Sequence, residues 1–147
     1  MKTIFHALFG ILSFGLIAAS LLASLIVEIL NSQGAIADVK ALIFQSILLL
    51  LVFLGFAALL GLSLGKTRAG NIVDTKKRRM IWLFAIATFV LLPIAYVLNE
   101  YAMQGQFNWA YLVLQGIEYI FDIIFLILLG LNIRDGNILV RQSQGRF

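Results

Sequence analysis

Residues 47–54 read ILLLLVFL, eight apolar side chains in succession. A half-buried strand alternates apolar with polar positions, and a transmembrane barrel strand does so over about ten residues, so this run is neither. It lies inside a longer apolar stretch, residues 41–64. A helix crossing ~30 Å of hydrocarbon needs ~20 residues, and lipid offers no partner for an open backbone group, which leaves a transmembrane helix. Three further stretches of that kind follow from the same reading, residues 4–30, 81–98 and 109–133. The expected fold is an all-α integral membrane protein, a single four-transmembrane-helix bundle over residues 1–147.

Composition agrees. The chain is 62% hydrophobic and 12% charged, against ~45–50% and ~25% in a soluble domain. A soluble fold of this size has too much surface for its volume to hide so many apolar side chains. An ordinary soluble protein, a disordered chain and a disulfide-rich scaffold are excluded. There is no cysteine, hence no thiolate nucleophile and no cysteine-ligated zinc or iron–sulfur centre. Lys2 followed by an apolar run to Ala19–Ser20 and Ala23–Ser24 imitates a cleavable signal. The run continues to Leu30, past a signal core of ~7–15 residues, so it is read as a retained helix.

The cations set the topology. Lys66, Arg68, Lys76, Lys77, Arg78 and Arg79 fall in a polybasic loop, residues 65–80. Arg134, Arg141 and Arg146 fall in a tail, residues 134–147, and Lys2 at the N-terminus; the other two loops hold only Lys40. This positive-inside bias places both termini in the cytoplasm, with Lys40, Asp38 and Glu100 outside and Asp74 and Asp135 in solvated cytoplasmic segments. The run Lys76, Lys77, Arg78 and Arg79 is also a candidate site for anionic lipid, each cation near the surface adding ~1 kcal/mol. Gly65–Lys66–Thr67 lacks the earlier glycine of a phosphate-binding loop, since position 60 is leucine. The outer loops, residues 31–40 and 99–108, leave no room for an external domain. Their faint echo, Glu28 with Gln33–Gly34 against Glu100 with Gln104–Gly105, fits either a duplicated hairpin or chance.

Ionisable residues inside a span are costly, roughly 2.5–3.5 kcal/mol at a helix centre. Glu28, Glu118 and Asp122 are the acids so placed, and no lysine or arginine falls inside the spans to neutralise them. At ~100° per residue, Tyr111, Gln115, Glu118 and Asp122 form one polar stripe on the fourth helix, within an arc of about 60°. Ser20 and Thr88 are expected at the depth of this stripe, and Pro93 frees the Phe89 carbonyl nearby, marking a helix kink. Without a cation, the Glu118–Asp122 pair is expected to hold at least one proton, with Glu118 donating to the Phe89 carbonyl or to Thr88. Three roles remain open for the pair: neutral glue between helices, a proton or cation site, or a contact to a partner subunit. Glu28 is expected to reach outer water or Lys40.

His6 is the only histidine, which excludes bis-histidine haem and multi-histidine metal sites. No catalytic constellation, metal site, cofactor or nucleic-acid partner is expected. Small residues at Gly15–Ala19–Ala23 and Ala57–Gly61–Gly65 have helix-packing spacing. Two functions follow as expectations. One is a small membrane subunit or interaction partner without catalytic machinery. The other is a proton- or cation-coupled transporter or channel, a homo-oligomer using Gln115, Glu118 and Asp122. A bacterial inner membrane is the expected location.

Overall fold

The computed structural model describes residues 2–65, 70–143 and 145. The chain is all-helical, with α1 at Lys2–Leu30, α2 at Gln33–Gly65, α3 at Asn71–Ile86, a π-helical segment at Ala87–Leu91, α4 at Leu92–Met103 and α5 at Trp109–Ser143. With α3, the π segment and α4 forming one continuous rod, four helices are long and apolar enough to cross a membrane. Asn31 ends α1 in the left-handed region, φ 49°, and Gly105 does the same after α4 at φ 66°, each the favoured residue type for that stop. Lys66 and Arg68, and with them the Gly65–Lys66–Thr67 fragment, lie at or beyond the edge of the described residues, as does Arg146.

The core positions share one spacing. On α1 they are Ser13, Ile17, Ser20, Ser24 and Val27; on α2 Ile36, Lys40, Ile43, Ile47, Leu50, Leu54 and Ala57; on α5 Tyr111, Gln115, Glu118, Asp122, Phe125, Leu129 and Asn132. Steps of four and three alternate along all three, the 3.5-residue repeat that keeps one seam facing inward in a supercoiled bundle. The third rod departs from it. Leu83, Ala87, Leu91 and Ala95 follow one another at steps of four. The π segment lies within that stretch, its wider turn taking up the extra residue so that Leu98 and Ala102 still face the core. Pro93 follows at the second position of α4, on the exposed side. Its missing N–H is the local reason the regular ladder breaks there.

Neighbours in sequence are neighbours in space. α1 packs on α2 and α5, the third rod packs on α2 through α4 and on α5 mainly through α3, and α2 and α5 face each other across the diagonal. One apolar cluster, with Val27, Ile36, Leu98, Ala102 and Tyr111, closes the end carrying the two short turns. A larger one, with Ile17, Ile47, Leu50, Leu91, Ala95 and Phe125, lies on the side toward the termini.

The helices outrun the apolar stretches that announce them. α2 begins at Gln33 rather than near Ala41, α3 begins at Asn71 inside the expected loop 65–80, and α5 runs through most of the expected tail 134–147 to Ser143. Polar residues extend a helix as readily as apolar ones once its ends stand in water. Two placements change as a result. Lys40 belongs to the core of the bundle, not to an outer loop, and Asp135 is buried on α5, not solvated.

Candidate functional site

Between the two apolar clusters lies a polar layer. Lys40 occupies an inward position of α2, so its four-carbon stem crosses the bundle diagonal toward α5. Its Nζ donates to Glu118 Oε2 at 2.7 Å and to Ser24 Oγ at 2.8 Å. The lysine side chain is 0% exposed and that of Glu118 2%, so this is an ion pair sealed from solvent. Gln115 Nε2 donates to the same carboxylate oxygen at 2.9 Å and to Ser24 Oγ at 3.4 Å, while Tyr119 and Ser24 share a hydroxyl–hydroxyl bond at 3.3 Å. One turn from Glu118, on the same face of α5, Asp122 is 6% exposed and has no hydrogen bond to another described residue.

The layer is short of donors. Glu118 Oε1 and Gln115 Oε1 are buried without a hydrogen-bond partner among the described residues. It is also short of positive charge. Lys40 pairs directly with Glu118, and among the described residues Asp122 has no ion-pair partner of its own. Coulomb interactions in such a medium are several-fold stronger than in water, so the unmatched carboxylate calls for a proton, a cation or a donor water. Among the described residues, no three His, Cys, Asp or Glu side chains gather as a metal site.

Several expectations are corrected. The Glu118–Asp122 pair does have an internal cation, Lys40. Glu118 does not donate to Phe89 or Thr88; its Oε2 accepts from Lys40 and Gln115. Glu28 meets neither Lys40 nor only water, because its Oε1 accepts a hydrogen bond from the Tyr111 hydroxyl. Tyr111 itself is fully buried, with Phe107 packed edge-on at 5.0 Å between ring centroids and its backbone N–H bonded to Asn108. Ser20 is buried on the α1 seam one turn below Ser24, and Thr88 sits on the π segment.

Lys40, Ser24 and Tyr119 are the members that the stripe on the fourth helix does not announce. The signal for Lys40 was present: it continues the spacing Ile36, Lys40, Ile43, Ile47, and only its charge argued for a loop.

The basic run near the termini divides. Arg79 donates to Asp135 at 2.6 Å, Arg134 reaches the same carboxylate at 3.2 Å, Arg78 is exposed, and Lys76 and Lys77 are half-buried. At the same end, His6 Nδ1 lies 2.9 Å from the Ala57 carbonyl; a carbonyl only accepts, so this nitrogen carries the proton. The row of small residues on α2 makes room for that ring, since a Cβ on Gly61 would stand 3.2 Å from it. Gly15 on α1 has open space instead.

No family model, curated protein or solved structure matches this chain, so the polar layer is read from its own geometry.

Proposed function

We propose that this chain is an integral membrane protein of a bacterial inner membrane, with both termini cytoplasmic, that binds and exchanges protons at the Lys40–Glu118–Asp122 layer. It has no catalytic machinery in this reading. The observation that carries it is the charge balance: two buried carboxylates share one buried lysine. Glu118 is the fixed partner, held by Lys40 and Gln115. Asp122 is the exchangeable one. When protonated it leaves the layer neutral, and its O–H has a free acceptor one turn away in Glu118 Oε1. When the proton leaves, the surplus charge draws on Lys40, so loss of a proton and movement of the lysine are linked. Buried ion pairs add little net stability, and apolar replacements are often as stable. That fits a layer kept for what it does, as ionisable residues at membrane depth commonly are.

The test is potential-driven proton flux into liposomes carrying a trapped pH-sensitive dye. Flux above that of protein-free vesicles is expected, lost in Asp122→Asn while helicity and thermal stability hold. Flux unchanged by Asp122→Asn and by Glu118→Gln, with stability falling instead, leaves polar glue and overturns the reading.

A second reading, a small subunit within a larger membrane assembly or homo-oligomer, draws on a different observation. Gly15 and Ala19 are exposed along α1, and a Cβ on Gly15 would meet nothing within 4 Å, so this small-residue face is available to a helix outside the chain.

A further inference from the structure

The half of the bundle toward the termini contains a cavity of about 940 Å³ between α1, α2, α3 and α5. That is the size of a site for a small organic ligand. Most of its wall is apolar, with Leu54, Phe84 and Leu129 among the residues that form it. His6, Lys76, Lys77, Asn132 and Asn137 supply the polar side chains. Within that wall Asn132 is 6% exposed, yet its Oδ1 has no hydrogen-bond partner among the described residues.

The charges point the same way. Asp135 is already taken by Arg79 and Arg134. No carboxylate of the described residues lies within ion-pair distance of Lys76 or Lys77. The Lys76 ammonium instead rests over Gly136, where a Cβ would stand 2.9 Å from Nζ. Two half-buried lysines and a histidine thus border an apolar space whose described lining includes no carboxylate, the nearby Asp135 being paired with Arg79 and Arg134.

We infer that this cavity holds one anionic phospholipid from the surrounding leaflet, with an acyl chain against the apolar wall. The phosphodiester lies between the Lys76 and Lys77 ammonium groups. A zwitterionic lipid fits less well, because its own ammonium would face the two lysines. The inference depends on the chain lying in a membrane but not on proton exchange at Asp122.

The test is native mass spectrometry and thermal unfolding of the full chain. The chain is first reconstituted in vesicles of phosphatidylcholine, or of phosphatidylcholine with phosphatidylglycerol, then extracted in mild detergent. Flotation with the vesicles after an alkaline carbonate wash, which strips peripherally bound protein, first establishes insertion, so a failure of the membrane reading is seen separately. One phosphatidylglycerol per chain is expected to survive extraction in preference to phosphatidylcholine. Lys76→Gln and Lys77→Gln should each weaken its retention about fivefold. Gly136→Ala is the sharper variant, since it keeps every charge and favours the helix. Its methyl displaces the Lys76 ammonium, so lipid retention should fall while the lipid-free chain melts no lower than the parent. Equal retention of the two lipids, or retention untouched by all three variants, overturns the inference. So does inorganic phosphate or glycerol phosphate reproducing the whole thermal shift, which would assign the lysines to a soluble anion.

Discussion

Lys40→Met removes the one cation of the polar layer while keeping a flexible side chain of similar length. The lysine and Glu118 side chains are 0% and 2% exposed, so solvent screening does not dilute the pair, and two hydrogen bonds of 2.7 and 2.8 Å are lost with it. Leaving one member of a buried ion pair without its partner costs about 3–5 kcal/mol, whereas replacing both members is often neutral. Lys40→Met is therefore expected to lose about 3–5 kcal/mol of unfolding free energy. Glu118→Gln should lose less, about 1–3 kcal/mol, because Asp122 stands one turn away to take the freed ammonium. The double variant should return to within about 1 kcal/mol of the parent, a coupling of at least about 3 kcal/mol. The assay is reversible unfolding by sodium dodecyl sulfate titration in mixed micelles, followed by helicity and tryptophan emission. Additive losses in the double variant would refute the reasoning, since they would mean that Lys40 and Glu118 stabilise the fold independently.

Four further outcomes can be checked with the same unfolding assay. Tyr111→Phe removes the hydroxyl that Glu28 accepts from, and should cost about 1.5–3 kcal/mol if the carboxylate stays charged; an unchanged stability would place Glu28 in water. Arg79→Gln leaves Asp135 only its more exposed partner, Arg134, and is expected to cost about 1–3 kcal/mol. Adding Asp135→Asn to that variant should recover most of the loss, and a further loss would count against the pair. Gly61→Leu drives a side chain into the His6 ring, so an overpacking loss of about 1–3 kcal/mol is expected, with the His6–Ala57 bond broken. Gly15→Leu, on the open face of α1, should lose no intrachain packing in dilute detergent.

The four-helix architecture was legible because unbroken apolar runs such as residues 47–54 allow nothing else in lipid. The inward stripe Tyr111, Gln115, Glu118 and Asp122 was legible for the same kind of reason, a helical period carrying residues that lipid rejects. Its partner was not. Hydropathy ends a span where charge begins, so Lys40 was assigned to the water beyond residue 41, although helix α2 starts two turns earlier at Gln33. The 3.5-residue spacing from Ile36 to Ala57 includes position 40 and carries the information that hydropathy discards. Asp135 was misplaced by the same rule, its burial depending on Arg79 from a helix that the polar composition of residues 71–80 conceals. The π segment was half legible. Pro93 announces a broken ladder, but the extra residue it accommodates appears only when Leu83, Ala87, Leu91 and Ala95 are seen on one face.

The central claim is that the polar layer carries one exchangeable proton on Asp122 beside a charged Lys40–Glu118 pair. Infrared difference spectroscopy of the reconstituted protein, with carboxyl carbons isotope-labelled, reads protonated and ionised acids separately. The account predicts one buried protonated carboxyl signal in the parent at neutral pH, absent in Asp122→Asn; it is absent in Glu118→Gln as well, because Asp122 then ionises against the freed Lys40 ammonium. Two ionised carboxylates in the parent, or a protonated signal that vanishes with Glu118→Gln and survives Asp122→Asn, would contradict it.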